Sequence, residues 1–431
     1  MVALLRAIGT VVLFAGAASG PLHAQGRQGE SPHSWLVQTN ASFVMVDSDD
    51  TGWLNGGLGK LRYDETEPNL TVDRLLIEYR GAVTPTLLAH VVMDYMDDGS
   101  TGFDLQEGYV EWRPVPRSPN RHRFKLGAFY PRLSLENIAS GWETPFSISS
   151  SAVNTWIAEE LKLLGMEWSL QRRLGGPGSP HELDLSAAAF YGNDPTGTLL
   201  AWKGWGIHDR QTRWNEQVPL PPLPQLQPGT RLRENQAPLA EPFLEIDHAP
   251  GYLASAEWRY ARRASIQIAR YDNHTDPLTV ADGQYGWATD FDQIAVQLSL
   301  PWDVGLMAQW MSGSTAMGPF LSFLGSRVVY NEFEARYVLL TRMQNGHRLT
   351  LRYDDFSVED EDGLPMDDNN ESGDAVTLAY VYDHSPNLQL AVEWLRIDSD
   401  RPAREYLGLP SHSIETIVQI QLRWRMLSRS N

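Results

Sequence analysis

The stretch RHRFKLGAFY (Arg121–Tyr130) sets Arg123 and Lys125 on one side of an extended segment and Phe124, Leu126, Ala128 and Tyr130 on the other. Successive side chains of a strand point to opposite faces, so this alternation separates a wet side from a greasy one. Arg74, in RLLIEYR, and Glu107 and Glu111, in LQEGYVEW, stand on the polar side of the same pattern. Residues 131–159 then run without a clean period and carry Arg132, Glu136 and Glu143, with small residues at Ser147–Ala152 (SISSSA). A long irregular excursion between two strands is more often functional than casual. Charges of both signs, some on strand walls and some on an excursion between them, are the material of a constriction, whose field decides which solutes pass. Arg74, Glu107, Glu111, Arg123, Lys125, Arg132, Glu136 and Glu143 are therefore the expected pore-lining and constriction residues. The competing reading makes 131–159 an ordinary exposed loop.

Other chemistry has less to stand on. No G-x-S-x-G elbow, H-E-x-x-H pair or phosphate loop is present. The eleven histidines are scattered. His90 falls on the polar face, which leaves an outer-membrane lipase or protease as an alternative, though a polar lumen residue explains it more simply. The acidic runs Asp47–Gly52 and Glu359–Gly363 superficially resemble calcium loops but do not continue into a full loop with its closing glutamate. They read as solvated loops, and loose bridging of divalent cations to lipid phosphates is the lesser alternative. No metal and no cofactor is expected. There is no cysteine, which excludes disulfides and thiolate sites, and the formal charge of −19 argues against nucleic acid.

The elements that must position these residues are strands. Between Trp35 and Met426 a period of two recurs in sixteen segments. In the first, Trp35, Val37, Thr39, Ala41, Phe43 and Met45 share the apolar side; in the twelfth, Phe333, Ala335, Tyr337 and Leu339 oppose Glu332, Glu334 and Arg336. The connections sort by length. Asp47–Leu70, Pro131–Glu159, Gly192–Pro250, Asp272–Gly286, Gly313–Ser326, Ser357–Gly373 and Asp398–His412 are long and alternate with tight turns such as Ala82–Pro85 and Arg262–Arg263; Asp97–Gly102 is the one short member of the long set. A membrane barrel sorts its loops in this way, with short turns on the periplasmic side. An even strand count leaves both termini on that side. Trp35, Tyr79, Tyr95, Trp112, Tyr130, Trp168, Tyr191, Trp258, Tyr260, Tyr353, Tyr382, Trp394 and Trp424 fall on the apolar face near strand ends, where interfacial girdles belong.

The first 24 residues read as a secretory signal peptide: Arg6, a short apolar run over Ile8–Ala18, and a small residue at Ala24. No later apolar run reaches the roughly 20 residues of a membrane-spanning helix. Residues 192–250 form a long external loop containing VPLPPLPQLQPG (Val218–Gly229), whose prolines favour extended backbone and suit a cap over the external mouth. A closed structural or adhesion barrel that binds a partner through this segment is a further alternative.

With these residues in place, the chain resembles bacterial outer-membrane porins, of the general-diffusion or phosphate-selective porin O/P-like type. The resemblance lies in Leu105–Trp112 (LQEGYVEW), in Phe124–Trp168 (from FKLGAFYPRLSLEN to LGMEW) and in Leu306–Met317 (LMAQWMSGSTAM), and extends diffusely over the barrel. It implies a sixteen-stranded antiparallel transmembrane β-barrel in a Gram-negative-type outer membrane. It also implies a homotrimer, a third external loop folded into the pore, and passive diffusion of ions and small polar solutes, anions such as phosphate included. The expected surroundings are the lipid bilayer and lipopolysaccharide. Two departures stand out. Phosphate-selective porins line the pore with many lysines and arginines, whereas the lysines here are Lys60, Lys125, Lys162 and Lys203 and the expected lumen mixes both signs. Porins also end on an aromatic residue, whereas here a tail, Leu427–Asn431, follows the last expected strand.

Overall fold

The computed structural model describes residues 33–66, 69–96, 102–176, 178–323, 325–364 and 366–430. The leader expected over 1–24 lies outside the described residues. Sixteen antiparallel strands close into one barrel. They are β1 (His33–Asp47), β2 (Leu70–Thr84), β3 (Leu87–Met96), β4 (Asp104–Trp112), β5 (Asn120–Phe129), β6 (Leu163–Arg173), β7 (His181–Tyr191), β8 (Gly251–Tyr260), β9 (Ala264–Asp272), β10 (Ala288–Leu300), β11 (Val304–Leu321), β12 (Ser326–Gln344), β13 (His347–Asp360), β14 (Glu371–Ser385), β15 (Leu388–Asp400) and β16 (His412–Ser430). Each pairs with its sequence neighbours, and β1 closes the ring by pairing with β16 from His33↔Ser430 to Asp47↔Thr416. Closure leaves no open sheet edge, which a barrel in lipid requires.

Long and short connections alternate as their composition suggests, with one exception. The expected loop Gly313–Ser326 is mostly strand: β11 and β12 stay paired to Leu321↔Ser326, with a register shift between Met317 and Phe320. Met317 and Val329 are buried on this extension against Trp202 and Leu220 of the long loop that follows β7, so burial of apolar surface overrides the turn signal of Gly318–Pro319. Of the expected C-terminal tail, Leu427–Ser430 is likewise strand, because β16 pairs with β1 as far as Ser430.

The outer face matches the greasy side of the alternation over most of the ring. Trp35, Phe43, Met45, Trp112, Leu126, Tyr191, Tyr353 and Met426 are exposed there. Rings pair up at the short-turn rim: Trp35 with Tyr79 at 4.7 Å, Trp112 with Phe124 at 5.3 Å, and His347 with Tyr382 at 4.6 Å. Tyr130 departs from the expected girdle. It is buried inside and stacks on Trp142 at 4.4 Å.

The phase of β12 is the reverse of the sequence expectation. Phe333, Ala335, Tyr337 and Leu339 are buried inside, while Glu332 and Arg336 face outward and Glu334 shares their side. Two physical causes act together. The lumen beside β10–β13 is filled with apolar groups, among them Trp156, Trp205, Phe291 and Phe333, so the greasy side of β12 finds its core inside. And β12 is 19 residues long, well beyond the roughly 9–11 that cross a bilayer, so its upper half need not present an apolar outer face.

Candidate functional site

Two of the connections that turn into the barrel build the site. The first, residues 130–162 between β5 and β6, ends in helix α1 (Ala152–Glu160), and every residue from 146 to 163 is buried. Ser151 caps the helix by accepting from the Asn154 amide at 3.3 Å, and Asp354 of β13 accepts from the Ala152 amide at 3.1 Å. An acidic group at a helix N-terminus is favourable because the first amides there lack helical partners. Trp156 points into the barrel core, with its ring 5.0 Å from Phe333 and 5.6 Å from Phe291. The second connection, residues 192–250 after β7, is not confined to the mouth: residues 193–208 are all buried and pack against α1. Its helix α2 (Thr198–Trp202) receives Glu160 at its N-terminal amides, at 2.9 Å from Leu199 and 3.2 Å from Leu200. Burial pushes the Glu160 carboxyl up to about 7 against those hydrogen bonds.

The loop at 130–162 is fixed to the wall at charged nodes. On β2, Arg74 donates to Asp94 at 2.6 Å, to Glu143 at 3.2 Å, to Gln106 at 2.8 Å and to the Gly141 carbonyl at 3.0 Å. Glu143 also accepts from Gln38 at 2.7 Å and Asn40 at 2.8 Å. Burial opposes the Glu143 charge, but the guanidinium groups of Arg423, Arg74 and Arg425 outweigh it and hold the carboxyl down at about 2. On β13, Arg352 donates to Asp354 at 2.7 Å, to Glu136 at 3.4 Å and to the carbonyls of Ser149 and Ser150 at 2.8 and 2.9 Å. Glu393 of β15 accepts from the Ile148 and Ser149 amides at 2.7 and 3.1 Å, and Arg423 of β16 donates to the Thr144 and Ser147 carbonyls, both at 3.3 Å. The small side chains of SISSSA let the loop backbone come this close to the wall.

These contacts divide the eight expected site residues into two groups. Arg74, Glu136 and Glu143 are buried at the loop–wall contact, and Glu107 accepts from the Tyr130 amide at 3.0 Å where the loop leaves β5. Glu111, Arg123 and Lys125 line the wall nearer the short-turn end, where Lys125 stands 3.7 Å from Glu167 and over the Phe129 ring at 4.5 Å. Glu111 pairs with Arg113 and is mostly buried. Arg132 is exposed at the start of the loop, close enough to Arg123 and Glu257 to act electrostatically on both. Arg123 and Arg259 share Asp184, at 3.3 and 3.1 Å. Arg352, Asp354, Glu393 and Arg423, which hold the loop from another sector, are not among the eight. Their alternation marks them as polar-face residues, but nothing local in the sequence names their partners. His90, the histidine of interest for catalysis, pairs with Glu78 at 2.9 Å and lies edge-on to Tyr109.

No protein-family model matches the chain, and no curated protein matches it in sequence. Solved structures do. The outer membrane channel DcaP of Acinetobacter baumannii is similar with a TM-score of 0.51 at 12% identity, over 91% of this chain and 96% of that one. An anion-selective porin from Comamonas acidovorans is similar at 0.46 and 13% identity, over 91% and 98%. OmpT, an outer membrane protein of Vibrio cholerae, is similar at 0.47 and 8% identity, over 91% and 96%. At such identity the likeness to DcaP concerns the fold alone.

Proposed function

We propose that this barrel spans an outer membrane and lets small polar and ionic solutes diffuse through it passively, with residues 130–162 narrowing the path. The observation that carries the reading is the inward loop fixed by buried Arg74 and Arg352. A loop tied at this many points keeps one shape, as a selective constriction must. The apolar outer band and the closed ring support a membrane setting. Because α1 and residues 193–208 also occupy the lumen, the expected conductance is small. Export through the leader at 1–24, assembly as a homotrimer and contact with lipopolysaccharide belong to the same proposal.

The solutes proposed are anions in preference to cations. Near the short-turn end, the side chains of Arg123 and Arg259 are 28% and 29% exposed, whereas the Asp184 carboxylate between them is 6% exposed. Over Asp184, water in the lumen therefore meets the guanidinium groups rather than the carboxylate. Glu182 and Glu257 temper this field from the same wall, so the expected preference is modest, and phosphate is one candidate among small anions. Single-channel recording of the purified barrel under a salt gradient tests both parts. Discrete steps with an anion-signed reversal potential are expected. Silence from folded protein overturns the channel, and a cation-signed potential overturns the preference.

A further inference from the structure

The connection between β13 and β14 holds a set of buried oxygens without donors. Asp367, Asn369 and Gln225 are 2%, 0% and 7% exposed. Their heads meet at one atom: Asp367 Oδ1 accepts from Gln225 Nε2 at 2.5 Å and from Asn369 Nδ2 at 3.1 Å. The remaining oxygens, Asp367 Oδ2, Asn369 Oδ1 and Gln225 Oε1, are buried and have no hydrogen-bond partner among the described residues. Asp360 adjoins them, its Oδ2 accepting from the Asn369 amide at 2.9 Å.

We propose that these oxygens form a calcium-type divalent cation site that pins Asp367 and Asn369, beside Asp360, to the proline-rich part of the long loop. Buried polar atoms in a folded protein are almost always satisfied, so three acceptors lacking donors, on side chains that meet at one carboxylate oxygen, ask for a group that can serve them together. A proton on Asp367 Oδ2 can donate to only one of the two amide oxygens and leaves the other unmet. A hard cation meets all three, and an irregular set of carboxylate and amide oxygens is the kind Ca²⁺ accepts with water completing its shell; Mg²⁺ demands stricter octahedral geometry. The charge balance points the same way. The Asp362 and Asp360 carboxylates lie near enough to Asp367 to add their negative field to its own. Arg401, the cation that opposes this, is already paired with Glu371 at 2.6 Å. Gln225 lies in the turn Pro224–Leu226, so the ion would join two external loops. The Glu359–Gly363 run, which by itself reads as a solvated loop, would then help supply the negative field.

The test is calorimetric titration of the folded, chelator-treated barrel with Ca²⁺ and, separately, Mg²⁺. One saturable Ca²⁺ site is expected, with a Kd of about 10⁻⁴–10⁻³ M, as for extracellular calcium modules, and weaker Mg²⁺ binding. Asp367→Asn should weaken Ca²⁺ binding at least tenfold. Gln225→Leu leaves the acidic segment intact, keeps the proposal testable if the first variant fails to fold, and should weaken binding several-fold. Absence of a saturable site, or parent-like binding in either folded variant, overturns the proposal. So does Ca²⁺ binding that survives Asp367→Asn but is lost in Glu245→Gln, which would place the ion at the separate cluster of Asp194, Glu245 and Asp247. None of these outcomes depends on whether the barrel conducts.

Discussion

Arg352 Nη1 lies 3.4 Å from Glu136 Oε2, and neither side chain reaches water. The contact joins barrel wall to inward loop across 216 positions of sequence. Glu136 is also tied to its own loop, accepting from the Ser151 amide at 2.7 Å and from Asn154 at 2.8 Å. The pair therefore couples the start of α1 to β13. Truncating one partner leaves the other charge buried without compensation, which costs about 3–5 kcal/mol. Arg352→Ala is expected to free residues 136–154 from the wall. Limited proteolysis should then cut within them, and single-channel current should become noisy. A variant as resistant and as quiet as the parent would show that the remaining contacts hold the loop alone.

A glycine sets how closely the same loop lies against β2. Gly141 sits at φ +67, and a Cβ there would fall 2.1 Å from the Leu76 side chain and 2.8 Å from Arg74 Nη2. Gly141→Ala meets both a left-handed backbone and an occupied space. The expected result is loss of the Arg74–Glu143 contact, a lower unfolding temperature and a changed conductance, with the barrel still assembled. Unchanged conductance would remove this end of the loop from the path.

The acid limb of stability is expected to come from Glu143 and Glu159. Burial opposes the Glu159 charge, but Lys203 and His208 hold its carboxyl at about 2, as the arginines hold Glu143. Folded-state values below the unfolded one give stability that is full above about pH 4.5 and lost as pH falls towards 2, roughly 3 kcal/mol for each group. Glu160 has the opposite sign. Raised to about 7, it contributes most below pH 4.5 and loses that contribution as pH rises through 7. Tryptophan-fluorescence melts across pH 3–8 should therefore peak near pH 4.5–5, and Glu160→Gln should flatten the limb above the peak. A parent curve that rises from pH 5 to 7 would contradict the assignment.

The strand pattern was legible from a period of two because most strands have one side against polar lumen groups and one side exposed. It misled where both sides changed partners. In β12 the inner neighbours of Phe333 are Trp156 and Trp205, contributed by two loops that no local pattern could place there. The polar residues of the site were legible as a class, since Arg74, Arg352 and Glu393 all lie on the wet side of their strands. Their pairing was not. Arg352 meets Ser149 from 203 positions away, and Glu393 meets Ile148 from 245. Such contacts are fixed by barrel register and loop path, which depend on the whole ring. The reversed phase of β12 can be read directly, because the chain has no native cysteine. Glu332→Cys should react quickly with a charged, membrane-impermeant maleimide, and Ala335→Cys should not; the opposite result would restore the phase suggested by the sequence.

Arg123 and Arg259 cover Asp184 from two sides, and Arg132 stands exposed beside them. Removing one guanidinium both subtracts a positive charge and uncovers a carboxylate, so the effect on selectivity should exceed that of a single lost charge. Arg123→Glu with Arg132→Glu should carry the reversal potential from the anion to the cation side. Asp184→Asn should strengthen the anion preference, because it removes the carboxylate that both arginines share and leaves Arg259 with Glu182 and Glu257 alone. High salt should shrink every shift, since the Debye length falls to about 3 Å at 1 M. If the double charge reversal leaves the reversal potential in place, the solute path does not pass this cluster, and the field must be sought at the buried contacts of Arg74 and Arg352.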